Sequence, residues 1–132
     1  MGSFNTFGRT VKSYGGGKMV WHSVDHKFPV GGVISNLADF AEGTVIPAGS
    51  MAIFNTANAT VEIVTDPAAS NIGDVNGLLE NDVYVDEAAK SETGAATATV
   101  VYGGVIYSSR LAVEVPEAVW KNLPMVKQFK EA

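Results

Sequence analysis

The sequence predicts a mainly β (α+β) domain, and three observations carry that prediction. Its apolar segments are short and rich in Val, Ile, Thr, Tyr and Phe, the residues that suit a pleated surface. Turn formers punctuate them at close intervals: Gly31-Gly32, Pro47-Ala48-Gly49, Asp66-Pro67, Asn76-Gly77 and Gly103-Gly104. Helical spacing is confined to short pieces: Phe4, Phe7, Val11 and Tyr14 show it among glycines, and Pro116 to Leu123 combines it with a favourable helix start. A chain of 132 residues suits one domain, and at that size one modest core can form.

Composition narrows the functional classes. Hydrophobic residues make up 46% and charged residues 17%, which argues against global disorder and leaves an apolar surface suited to partners. The net charge of -5 disfavours nucleic acid, whose binding needs phosphates neutralised by Lys and Arg. No run approaches the ~20 apolar residues that span a bilayer, so no membrane partner is expected. There are no cysteines, hence no disulfide, thiolate nucleophile or Cys-ligated zinc. The first residues lack the apolar region of a secretory signal, so synthesis and retention in the cytoplasm are expected. Asn58-Ala59-Thr60 fits a glycosylation sequon but has no acceptor context there.

Residues 1–30 are expected to form an extended arm and residues 31–132 a single β-rich domain. The arm opens with Phe4, Phe7, Arg9, Lys12, Tyr14 and Lys18, aromatic and basic with no acid among them. Gly8 and Gly15-Gly16-Gly17 oppose a helix here. Aromatics on a basic arm fit a tether that docks; a plain solvated terminus is the alternative. Met19 to Val24 has strand composition, and Trp21 joins the docking candidates. Leu37, Phe40 and Ala41 suit a short helical turn. Val45-Ile46, then Pro47-Ala48-Gly49-Ser50, then Met51 to Phe54 read as strand, turn, strand. Thr60 to Thr65 alternates as a half-buried strand, ended by Asp66-Pro67.

The stretch Gly73 to Val115 organises the rest. Asn76-Gly77 reads as a turn, followed by an apolar run around Leu78, Leu79, Val83 and Val85. A charged loop leads to ATATVVYGGVIY, a strand broken at Gly103-Gly104, where a bend or a close contact is expected. Pro116-Glu117 then opens the short helix, which Pro124 ends. Met125 to Phe129 reads as a further helical turn.

No catalytic constellation stands out. His22 and His26 flank Asp25, but a strand holds them too far apart to chelate one ion, and no third ligand is evident. Glu80, Asp82, Asp86, Glu87 and Glu92 form an acidic cluster that matches no calcium loop. No GxSxG is present, and Gly15-Gly16-Gly17-Lys18-Met19 lacks the spacing of a phosphate loop. The expectation is a non-enzyme without metal or cofactor. A metal enzyme on the histidines or the acidic cluster is the discriminable rival. A ligand-binding module, for glycans on a head fibre for instance, is another: Tyr84, Tyr102, Tyr107 and Trp21 would stack on its ligand.

From Gly77-Leu78-Leu79-Glu80-Asn81-Asp82-Val83, through the acidic Ala-rich loop 86–94, the strand Ala96 to Tyr107, Arg110-Leu111 and the helical Val115 to Leu123, the order of elements resembles the lambda-type head decoration proteins of tailed bacteriophages. The Pro47-Ala48-Gly49-Ser50 turn has a counterpart in that family. The resemblance covers roughly residues 44 to 126, and residues 1 to 43 are a longer lead than its simplest members carry. It implies a capsid-stabilising virion protein, homotrimeric, whose partner is the major capsid protein and whose N-terminal arm pairs with capsid strands. Such a cement protein needs a rigid body, a self-complementary patch and an adhesive arm. Trp120, Leu123 and Tyr107 are the candidates for the interface between copies, since large aromatic and apolar groups anchor interfaces.

Overall fold

The structure, a computed structural model, describes residues 19–91 and 93–130. Its strands are β1 (Trp21–Lys27), β2 (Gly32–Ile34), β3 (Val45–Ile46), β4 (Met51–Asn55), β5 (Thr60–Val64), β6 (Gly77–Leu79), β7 (Val83–Tyr84), β8 (Thr97–Ala98), β9 (Val100–Tyr107) and β10 (Val126–Phe129). One helix, α1 (Glu117–Lys121), and three 3₁₀ turns complete the described chain. The β-rich prediction holds, and the helix stands where Pro116 and Glu117 favour it.

Eight strands form one sheet in the order β10-β9-β6-β4-β5-β2-β8, with β1 beside β9, and β3 and β7 form a separate ribbon. The sheet curls until its ends meet. Only Thr99 separates β8 from β9, so the last strand of the path returns to the stretch of chain, 97–107, that also supplies its second. Val101 pairs with Leu78 of β6 on one edge and with Lys27 of β1 on the other. The seam is sewn by Phe28 N–H donating to Val100 O at 3.0 Å, Ile34 N–H to Ala96 O at 2.9 Å and Glu80 N–H to Thr99 O at 3.0 Å. Curling of this kind removes free sheet edges that would otherwise pair with other chains.

The sheet is buried on both faces. Consecutive residues in a strand point to opposite sides, and Met51 and Ala52, Leu78 and Leu79, and Val101 and Val100 each divide between two apolar clusters. One cluster fills the inside of the curl with Ile34, Phe54, Val61, Ile63, Leu79 and Val100. The other joins the outside to Trp21, Val115, Val119 and Leu123. Burial on both faces explains why Gly77-Leu78-Leu79 shows no polar alternation: all three residues are buried.

Gly103-Gly104 does more than bend β9. Val101 and Ile106 belong to the same cluster, yet five residues of regular strand would set them on opposite faces. Pairing with β1 slips at Val101/Gly103, at Gly103/Gly104 and at Val105/Ile106, and these bulges restore the phase. Gly104 has φ of 149°, and a Cβ there would lie 2.4 Å from Ser23 O.

Three sequence expectations are corrected. Residues 19–30 do not stand apart as an arm: β1 lies along most of β9, because a strand with Trp21 and Val24 gains an apolar cluster to enter. Asn76-Gly77 is not a turn. Gly77 pairs with Ala52 inside the sheet, where a Cβ would come 2.3 Å from Val100 Cγ1. Val126–Phe129 is a strand, not a helical turn, since Gly104 to Tyr107 offer it a parallel ladder. Residues 1–18 lie outside the described residues.

Candidate functional site

The face that lines the inside of the curl continues along β9 beyond the bulge. There β1, β9 and β10 run on as a three-stranded ribbon. Tyr107 is its centre. The Tyr107 hydroxyl lies 2.9 Å from His22 Nδ1, hydrogen-bonded. The two rings meet edge to face at 5.7 Å, as do Tyr107 and Phe129. The Arg110 guanidinium carbon stands 4.0 Å from the Tyr107 ring centre, a cation–π distance, and the same guanidinium donates to Met19 O at 2.8 Å. His22, Val105, Tyr107 and Phe129 line a shallow, mostly apolar depression of about 300 Å³. Phe129 is 53% exposed, so its strand register and the edge of Tyr107 hold a large apolar side chain partly in water.

A second aromatic row precedes the bulge. Phe28 stacks on the buried Phe54 at 4.4 Å, Tyr102 leans on Phe28 at 4.9 Å, and His26 stacks on Tyr102 at 5.7 Å. Gly103 makes room for His26, whose ring carbon would otherwise sit 2.6 Å from a Cβ. Beside this row, Met125 is 50% exposed and shares a shallow pocket with Phe28, Asn76, Tyr102, Asn122 and Pro124.

The candidates named from sequence are dispersed. Trp21 is corrected from docking residue to core: only 5% of it is exposed, and its indole N–H donates to Leu79 O at 2.9 Å. Leu123, at 2% exposure, is likewise core and offers nothing to a second copy. Trp120 is half-buried against the outer cluster, and Tyr107 is half-buried in the ribbon just described. Tyr84 is 48% exposed on β7, in the ribbon that β3 and β7 form outside the main sheet. Phe4, Phe7, Arg9, Lys12 and Tyr14 lie outside the described residues.

The described acidic residues do not converge on a common site, and Glu92 lies outside the described residues. The Asp82 carboxylate accepts Ala48 N–H at 2.7 Å, and that of Asp86 accepts Ala89 N–H at 2.7 Å, each stabilising a turn. Glu80 faces Lys27 at 3.4 Å. Among the described residues no group of three or more His, Asp or Glu could hold a metal ion, and no helix is long and apolar enough to cross a membrane.

The sequence did not single out His22 and Phe129 as neighbours of Tyr107. The signal was there in part: Val105 and Tyr107 alternate with Ile106. Their partners come from strands 85 residues upstream and 22 downstream, a pairing that no local pattern encodes. The chain matches no protein-family model and no curated protein.

Proposed function

We propose that this chain is a structural virion protein that decorates and stabilises the outer surface of a tailed-phage capsid, with the major capsid protein and further copies of itself as partners. The observation that carries the reading is the position of β1. It is a seven-residue strand whose only partner among the described residues is β9, and residues 1–18 lead directly into it. Among the described residues no strand lies along its other edge, and an edge of this kind suits strand addition, where backbone bonds supply affinity and side chains supply specificity. The doubly buried sheet is the rigid body that such a role needs, and the order of elements from residue 44 to 126 resembles the lambda-type decoration proteins.

The test is a deletion. Removing residues 1–18 takes away the basic, aromatic lead but spares β1 and every core residue of the described fold. The shortened protein is expected to keep its circular dichroism spectrum and melting midpoint, and to lose at least about ten-fold in affinity for expanded heads. Undiminished head binding by the shortened protein would exclude docking through that segment.

The Tyr107 ribbon favours a second reading, a glycan-binding module displayed on the virion. An exposed Phe129 beside Tyr107 and His22 offers a stacking surface with a polar rim. On this reading Phe129→Ala abolishes binding on a glycan array while heads are still decorated. An array without hits for the wild-type protein rejects it.

A further inference from the structure

Asn76-Gly77 is the one Asn-Gly pair in the sequence. In an unfolded chain such a pair is chemically fragile. The Gly77 backbone nitrogen, having lost its proton, attacks Asn76 Cγ. A new C–N bond closes a five-membered succinimide as the Cγ–Nδ2 bond breaks and ammonia leaves. Water then opens the ring to Asp or to isoaspartate. Glycine favours the reaction because no Cβ hinders its nitrogen, and asparagine ranks among the thermolabile residues for such reasons.

The fold holds this pair in a different arrangement. Leu79 N–H donates to Ser50 O at 3.0 Å, and Ala52 pairs with Gly77. One step further, the Asn76 side chain takes the place of a strand residue. Phe54 N–H donates to Asn76 Oδ1 at 2.8 Å, and Asn76 Nδ2 donates to Phe54 O at 3.0 Å. The carboxamide therefore prolongs the β4–β6 ladder, and both its orientation and its two roles follow from the fixed donor and acceptor of Phe54. The Asn76 backbone N–H is also engaged, donating to Ala52 O at 3.1 Å. Gly77 itself is buried, with Val100 packed where its Cβ would be. Ring closure needs the carboxamide to rotate off Phe54 and the Gly77 nitrogen to leave the sheet.

We propose that Asn76 is a conditional modification site, closed to deamidation in the folded protein and open whenever β6 leaves the sheet. The modification then blocks return. An aspartate can still accept from Phe54 N–H, but it has no proton to donate to Phe54 O, and two oxygens face each other in a half-buried position. A chain that has spent time unfolded is thereby marked at the centre of its sheet.

The experiment incubates the full-length protein in mildly alkaline buffer, alongside the same protein in urea and a synthetic peptide spanning residues 72–80. Peptide mass spectrometry follows Asp and isoaspartate at position 76. Conversion in the native protein is expected to be at least about ten-fold slower than in urea or in the peptide. Equal rates in the native protein and the peptide would overturn the proposal. Asn76→Asp tests the consequence. It is expected to fold with a melting midpoint lowered by roughly 5–10 °C, or not to fold at all. A midpoint equal to that of wild type would show that deamidation at this position does not hinder return to the fold.

Discussion

Gly104→Val is expected to destabilise the protein by about 3–5 kcal/mol, a large part of the roughly 5–15 kcal/mol that holds a domain of this size together. Two effects add. The backbone at Gly104 has φ of 149°, a conformation that a β-branched residue enters only at a cost of about 1–3 kcal/mol. The new side chain also meets the Ser23 carbonyl oxygen at 2.4 Å and the Val24 backbone at 3.2 Å. These are main-chain atoms of the paired strand, so they cannot move without breaking the ladder. Overpacking of this kind costs about 1–3 kcal/mol. If the bulge were lost instead, β9 would regain regular alternation and Ile106 would turn away from the cluster it shares with Val101. Urea unfolding measures the outcome, and a midpoint within error of wild type would show that the phase correction at the bulge contributes little.

The second large effect is expected at Trp21. Trp21→Ala removes a ring that is 95% buried, by its 5% exposure, from the cluster that joins the sheet to α1. Such truncations cost about 3–5 kcal/mol. Trp21→Phe keeps most of the apolar volume and loses the indole donor, at about 0.5–1.5 kcal/mol. The loss stays small because Leu79 O keeps a second donor, Gly49 N–H at 2.9 Å. Thermal unfolding of both variants separates ring packing from the hydrogen bond. The result also distinguishes two roles for the residue. A docking tryptophan would leave stability untouched on truncation and abolish binding, whereas a core tryptophan does the reverse to stability at once.

The two variants share a cause. β1 and β9 form one of the two most extended pairings in the sheet, and both substitutions fall on it. Trp21 stands opposite Ile106 and Gly104 opposite Val24. Loss of either loosens the strand that follows residues 1–18, and hence any partner recognised through that edge. On the proposed function, head binding by a destabilised variant is therefore to be read beside its unfolding curve.

Much of the local structure was legible in the chain. Pro116-Glu117 announced α1, Asp66-Pro67 closed β5, and the β-branched run around Gly103-Gly104 marked the longest strand. These are short-range effects: proline lacks a donor, glycine lacks a Cβ, and branched side chains suit a pleat. The same short-range logic misread Asn76-Gly77 as a turn, because a dipeptide cannot tell that its glycine is needed for a close approach to Val100. It also misread Met125 to Phe129, whose strand form depends on an open edge of β9.

The sequence by itself determined the class of structure, the places where strands stop and the absence of cysteine chemistry. Each of these depends on the conformational limits of single residues or on composition. Only the tertiary structure decided that Trp21 and Leu123 are core residues, that Asn76 extends a ladder through its side chain, and that His22, Tyr107 and Phe129 share an exposed ribbon. Those facts rest on pairings between distant strands and on burial of both sheet faces. Period-two patterning indicates which residues share a face, but not what will cover it.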